Sequence, residues 1–383
     1  MTLRGIVLPC AGERLPAAHR IAVLRANAIG DYIVGLPALT ALRRAYPLAC
    51  IVLLGRRWHA EFLHRREGPV DEVFELPAIP GVTAEPDAPA DETAIAAAVE
   101  RLRARHFDLA LQMHGGGRYS NPFLRRLGAR VTAGMCSPDA EPLERNLPYF
   151  DDHHPVALQL LECVALVGAT DAILEVPLQL RAEDICEAAV ALPPPAAPLV
   201  LLQPGASHAH KRWAPERFAA VGDAFAERGA TVAVHGSCDE AGLTGAVCRA
   251  MRHPAIDLAG RLSVGGLAGL LARTRLLVSN DTGPVHLARA LGTPTVSIFW
   301  VGNARSFGPL STCNERVATS WRMECPLCGR NAMTEGCPHE VSLVDDVPVE
   351  MVLDLADSLW DDEPALRAMA GLAAPDALQP AGQ

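Results

Sequence analysis

Lysine is all but missing from this 383-residue chain: Lys211 stands alone, and the other 33 of its 34 basic residues are Arg. An Arg-biased composition can leave one Lys by chance, so the residue gains meaning only from its position. No apolar run approaches the roughly 18 residues a membrane-spanning helix needs. The N-terminal M-T-L-R-G-I-V-L-P-C has too short an apolar core for a signal peptide, so the chain is expected in the cytoplasm. No G-x-G-x-x-G follows any predicted strand, which argues against a dinucleotide-dependent dehydrogenase. Positive charge is also in deficit. Net charge is −10, but residues 1–150 carry 18 Arg against 16 acidic residues (+2), while the rest carries 16 basic against 28 acidic residues (−12). The whole chain does not read as a nucleic-acid binder, and if one half meets an anionic partner it should be the N-terminal half.

Apolar residues make up half the chain, enough for two cores and too many for a disordered protein. The length favours more than one domain. Arg20 to Gly55 reads as a βαβ unit: R-I-A-V-L-R, a turn A-N-A-I-G-D, a helix from Tyr32 to Tyr46 stopped by Pro47, then A-C-I-V-L-L-G. Strands are expected again at 70–76 and 107–113, with a helix over 92–105 between them. After P-P-P-A-A-P the alternation restarts. L-V-L-L-Q, T-V-A-V-H-G, L-L-V-S-N and T-V-S-I-F-W are expected strands, separated by helices over 215–228, 267–272 and 284–291. Two α/β domains with doubly wound parallel sheets follow. Their expected limits are 1–185 and 199–345, joined by a Pro-rich linker at 186–198. A helix over 347–360 and a loose tail after Asp361 complete the chain. Two such domains imply a cleft, with ligands outside the carboxyl ends of the strands.

Three loops at such ends carry unusual chemistry. In S-N-D-T-G-P-V-H, Pro284 suits the first helical position, with Thr282 or Gly283 as the cap. The free amides there favour an anion. Gly283 allows close approach, and Thr282 and His286 can add donors. Asp281 would repel a phosphate and is expected to bond loop amides or a ligand hydroxyl. A well-capped helix alone would explain every residue except the His. In Q-P-G-A-S-H-A-H-K-R-W, the residues Gly205, Ser207, Lys211 and Arg212 suit a phosphate or pyrophosphate, although two solvated cations on a surface loop would look the same. In A-N-A-I-G-D, Asp31 opens a helix and reads either as an N-cap or as a general base. The helix N-terminus favours a negative charge at that place.

Together the three loops, with F-D-L-A-L-Q-M-H-G-G-G-R-Y-S, resemble glycosyltransferase family 9, the ADP-heptose:lipopolysaccharide heptosyltransferases. The resemblance implies a GT-B fold, with acceptor on the N-terminal Rossmann-like domain and nucleotide-sugar on the C-terminal one. It implies inverting transfer of a sugar from ADP-heptose to a glycan hydroxyl, with no cofactor and no metal required. Asp31 matches the catalytic base and Lys211 the pyrophosphate-binding Lys. Asp281, Thr282, Gly283 and His286 match the donor-phosphate loop, while Glu240, or its neighbour Asp239, matches a ribose-binding Glu. His114, Arg118 and Ser120 lie on the expected acceptor loop. No D-x-D, the metal-holding spacing of the other glycosyltransferase fold, occurs in the chain. The family's acceptors are lipid-linked, so peripheral contact with the inner membrane face is implied. The negative charge here leaves a protein or another surface glycan open as acceptor. A nucleotide-sugar epimerase and an inert nucleotide-sugar-binding subunit are the alternatives.

Eleven Cys are present. Cys163, Cys186 and Cys248 sit singly among apolar residues and read as small, reduced core side chains. Cys325, Cys328, Cys337 and His339 instead form C-P-L-C-x8-C-P-H, the spacing of a structural metal knuckle. The single residue between Cys337 and His339 argues against a metal, and Cys313 is an alternative fourth ligand.

Overall fold

The computed structural model describes residues 12–149 and 154–370, with side chains through 361. The N-terminal stretch read above for a leader and residues 371–383 lie outside the described residues. The chain divides into two compact units, the first ending at Gln179 and the second beginning at Leu180.

The first unit holds a six-stranded, all-parallel sheet built from β1 (Arg20–Leu24), β2 (Cys50–Gly55), β3 (Glu72–Glu75), β4 (Leu109–Gln112), β5 (Val131–Cys136) and β6 (Arg145–Pro148). Their order is β3-β2-β1-β4-β5-β6, with Ile21 opposite Ile51 on one side and Leu109 on the other. The second unit repeats the plan with β7 (Leu199–Gln203), β8 (Thr231–Val234), β9 (Ile256–Asp257), β10 (Leu276–Asn280), β11 (Thr295–Trp300) and β12 (Glu315–Ser320). Its order is β12-β11-β10-β7-β8-β9. Counted from its own first strand, this is the same doubly wound 3-2-1-4-5-6 order as in the first unit. The central strands β7, β10 and β11 are buried along their whole length, and β1 from Ile21 onward. That is why they appear in sequence as unbroken apolar runs rather than alternating ones.

Topology fixes where chemistry can happen. In each sheet the strand order reverses beside the first strand, between β1 and β4 and between β7 and β10. The loops leaving those four strands flank the two switch points, where an open α/β sheet leaves a crevice.

The structure departs from the sequence expectations in three places. The helix Ala182–Ala191 overlaps the expected linker. It packs on the helix Val264–Leu271, where Gly265, Gly266 and Gly269 give it room; a Cβ at Gly269 would lie 2.1 Å from the Asp184 carbonyl oxygen. Pro193–Pro195 therefore lies in the connection from that helix to β7. The last helix, Val349–Ala370, runs through residues expected as loose tail. The strands β5, β6, β9 and β12 were not expected, being short, peripheral or mixed in polarity. No described helix is long and apolar enough to cross a membrane.

Candidate functional site

In the second unit, β7 ends at Gln203 and β10 at Asn280, side by side. Asn280 is fully buried and ties the two loops together. Its Oδ1 accepts from the Trp213 backbone N–H (3.1 Å) and its Nδ2 donates to the Pro204 carbonyl (2.8 Å). Trp213 is itself fully buried and donates its indole N–H to the Val347 carbonyl. These anchors fix the turn Ala209–Lys211. They carry Lys211 across to Asp281, where Nζ donates to Oδ2 at 2.8 Å. The pair is nearly closed off, with side-chain exposures of 14% and 3%.

His286, in the first turns of the helix Gly283–Leu291, brings Nε2 within 3.8 Å of the other Asp281 oxygen. Burial, with Arg289 and Lys211 nearby, holds His286 well below its usual pKa, so the ring is neutral. Arg289 lies 3.2 Å from His286 Nδ1. A guanidinium only donates, so Nδ1 accepts and the ring proton sits on Nε2, facing Asp281. Glu315 grips Arg289 from behind with two bonds (2.8 and 3.2 Å) and accepts from Ser297 Oγ at 2.6 Å. A row of polar side chains, Glu315–Arg289–His286–Asp281–Lys211, hydrogen-bonded except at the 3.8 Å His286–Asp281 step, thus runs from the sheet interior to the crevice.

The remaining expected donor residues divide. Thr282 is the N-cap, but its side chain makes no capping bond. Ser207 is exposed in the loop that follows β7. Glu240 accepts from the Ser237 N–H and lies so close over Gly205 that a Cβ there would meet its carboxylate at 2.0 Å. The structure therefore brings Glu240 to the β7 loop, while Asp239 is exposed. Arg212 is spent on the loop itself, with Nε and Nη2 both donating to the Ala206 carbonyl (3.0 and 2.8 Å).

In the first unit, Asp31 is not the N-cap. Ala28 is, and the helix Ile29–Ala45 places Asp31 at its third residue. From there Oδ2 accepts from the Ala28 N–H at 3.3 Å. Underneath lies Arg25, a buried cation directly after β1. It donates through Nε to the Asp31 carbonyl (2.7 Å) and through Nη1 to the Met113 carbonyl (2.6 Å). Its Nη2 faces Asp31 Oδ1 at 3.6 Å, too far for a hydrogen bond. Desolvation lowers the Arg25 pKa, and the Asp31 charge partly offsets this. Gly35 makes room for the guanidinium, since a Cβ there would come 3.0 Å from Nε.

The expected acceptor residues part ways. His114 joins the Asp31 loop: its Nδ1 accepts from the Ala26 N–H at 3.2 Å. Burial first, then Arg25 and Arg56, push its pKa down to about 4. Ser120 is buried and serves structure, taking a 2.6 Å bond from Gln112 and donating to the His114 carbonyl. Arg118 is exposed, 3.7 Å from Asp139.

The ligand-type side chains Cys325, Cys328, Cys337 and His339 converge, with their donor atoms within 4.8 Å of one another. Cys313 is exposed and is not one of the group; of the three cysteines expected in a core, Cys163 is buried, Cys248 is half-buried and Cys186 is exposed, on the helix Ala182–Ala191. Sequence reading missed Arg25, Asn280, Arg289 and Glu315. Their one signal is a polar residue at or inside the end of an apolar strand or helix, and that signal is weak.

Known proteins share this organisation. The lipopolysaccharide heptosyltransferase 1 of Pseudomonas aeruginosa is 34% identical over 106 residues, 27% of this chain and 29% of the relative. The matched stretch thus spans under a third of that relative's length. Among solved structures, a glycosyl transferase family 9 protein from Veillonella parvula superposes with a TM-score of 0.73 at 21% identity, covering 90% of this chain and 97% of that one. The E. coli heptosyltransferase WaaC with ADP-2-deoxy-2-fluoro heptose gives 0.61 at 19% identity, covering 88% and 99%. These overlays show the fold class, GT-B. Residues 95–333, more than half of the sequence, match the family described as glycosyltransferase family 9 (heptosyltransferase), and the chain belongs to that family.

Proposed function

We propose that this protein is an inverting glycosyltransferase that moves heptose from ADP-heptose to a hydroxyl of a lipopolysaccharide-core or related surface glycan. The observation that carries the reading is the Lys211–Asp281 pair at the switch point of the second sheet, 2.8 Å apart and almost closed off. A buried ammonium at that position is expensive unless it has anionic company. Asp281 supplies it in the free protein, and a pyrophosphate can share it in the complex. At the start of the helix Gly283–Leu291 Pro284 has no N–H and the Val285 N–H donates to the Thr282 carbonyl, so the Gly283 amide, with the Thr282 hydroxyl and Ser207, is assigned to the anion. Glu240, whose carboxylate lies over Gly205 in the β7 loop, is assigned to the ribose. The ADP-sugar named with the WaaC structure supports adenine as the base.

In this reading Asp31 accepts the proton of the acceptor hydroxyl as that oxygen attacks the anomeric carbon. The bond to the diphosphate breaks on the opposite face. Negative charge grows on the leaving pyrophosphate, and Lys211 with the Gly283 amide is assigned to stabilise it. Arg25 holds the helix start so that the Asp31 carboxylate keeps its direction. His114 and Arg118 are assigned to the acceptor, and Ser120 and Arg212 to loop bracing. The test is incubation with ADP-heptose and candidate glycan acceptors, read by mass spectrometry. A heptose-sized mass gain on the acceptor with release of ADP is expected. Sugar isomerisation without an acceptor would overturn the assignment in favour of an epimerase.

A further inference from the structure

Beyond the transferase reading, we propose that Cys325, Cys328, Cys337 and His339 hold one structural Zn2+ ion in a tetrahedral Cys3His site. Cys328 Sγ and Cys337 Sγ are 3.6 Å apart, Cys337 Sγ and His339 Nδ1 3.1 Å, and Cys325 Sγ and His339 Nδ1 3.7 Å. Zinc–sulfur bonds of about 2.3 Å and zinc–nitrogen bonds of about 2.0 Å at tetrahedral angles put ligand atoms about 3.5–3.8 Å apart. Two of these three separations lie in that range, Cys337–His339 is shorter and all four donor atoms lie within 4.8 Å, so side-chain shifts of under about 1 Å close a metal shell, while the sulfur spacing is far beyond the about 2.05 Å of a disulfide. The short Cys337-Pro-His339 spacing, which argues against a metal in sequence, is accommodated by the choice of ring nitrogen. Nδ1, the nitrogen nearer the backbone, is the one that faces the thiols. The 325–328 loop turns as a ligating knuckle does: Gly329 at φ +70° closes it, its N–H donating to the Cys325 carbonyl.

The second observation is what surrounds the cluster. Between Trp321 and Ser342, Cys325 is the one buried residue, and no helix or strand forms beyond a single bridge between Glu324 and Asn331. Trp321 and Leu327 are 74% and 66% exposed. A segment with no core of its own cannot offset the entropy of holding four ligand-type side chains together. A metal can, because its binding energy is also folding energy. Both ends of the segment are pinned to the second unit. Trp300 Nε1 donates to the Arg322 carbonyl, and the Leu343 N–H donates to the His210 carbonyl. On binding, Zn2+ displaces the three thiol protons to solvent and takes His339 as a neutral ring, leaving a site of net charge −1.

The experiment uses the full chain without a histidine tag, purified with reductant and dialysed against metal-free buffer. Elemental analysis is expected to find about one zinc per chain. Iron in its place, or failure to take up zinc supplied under reducing conditions, overturns the proposal. Cys328→Ser should bring zinc to near zero, whereas Cys186→Ser, at an exposed thiol in the helix Ala182–Ala191, should leave it unchanged. Cobalt exchanged into the protein should show thiolate charge-transfer and tetrahedral d–d bands that Cys328→Ser abolishes. Unchanged zinc and cobalt spectra in that variant overturn the ligand set, as does a Cys328–Cys337 disulfide in freshly reduced protein. Chelation should open Arg330 to trypsin within this segment, with no such change on chelating the Cys328→Ser variant. None of these readouts depends on the sugar donor.

Discussion

At the scale of single residues, the two assigned roles separate cleanly by substitution. Asn at position 31 keeps an oxygen for the Ala28 N–H and so keeps the helix start. It cannot take a proton. Asp31→Asn should lower kcat by about 10^2–10^4-fold while calorimetry finds ADP affinity within about twofold of the parent; near-normal turnover would remove Asp31 as the base. Lys211→Ala tests the cradle and the fold together. It strips a charge-assisted bond from the pyrophosphate, and ADP binding should weaken by about tenfold or more. It also leaves Asp281 buried without its cation, which costs about 3 kcal/mol in denaturant unfolding. Adding Asp281→Asn to Lys211→Ala should recover part of that stability and none of the affinity. If the double variant is as unstable as the sum of the singles, the two side chains do not act as a pair.

At the scale of elements, the doubly wound architecture was legible, though not the strand order, because buried parallel strands leave mostly apolar runs, as in Leu199–Gln203 and Thr295–Trp300. The loops were legible where small and charged residues interrupt such runs, which is how Lys211 and Asp281 stood out. What was not legible is support. Asn280 reads as the polar end of a strand, and Arg25 as one of many Arg; only the fold brings Pro204, Trp213 and Met113 to them. The helix Ala182–Ala191 was half hidden by the prolines that follow it, because its partner lies about 80 residues on. That partner is a helix with the glycines Gly265, Gly266 and Gly269 on its contact face. In sequence these lower helix propensity; in the fold they are the reason the backbones approach. Gly269→Ala should therefore destabilise the second unit by about 1–3 kcal/mol, despite its better helix propensity, because the new methyl meets the Asp184 carbonyl rather than a movable side chain. Urea unfolding measures this, and a neutral or stabilising result would mean the helix pair can slide apart at no cost.

At the scale of the whole molecule, both units share one titration. Burial pushes His59 down to about 3 and His114, His210 and His235 to about 4, and takes His286 well below its usual value. Each is folded as a neutral ring. The unfolded chain takes up these protons near the ordinary value of about 6.5, and the folded chain only near 4 or below. Between those limits the unfolded state binds more protons, so stability is complete at neutral pH and falls as pH drops below about 6.5. His235, 7% exposed and bonded through Nδ1 to Gln203 at 2.6 Å, contributes about 3 kcal/mol of that loss by pH 4. Several such groups together rival the about 5–15 kcal/mol that holds a domain. Carboxylates with lowered pKa, such as Asp108 and Asp223, add to acid loss only nearer and below their own ordinary range, so the interval above about pH 4.5 isolates the histidines. The urea midpoint should therefore decline steadily from about pH 7 to about pH 5. His235→Gln should flatten that decline by one group's share, whatever its effect on stability at pH 7. A midpoint that holds level or rises on acidification would mean that these rings are solvated and protonated in the folded protein. The neutral His286 that faces Asp281 would then be lost with them.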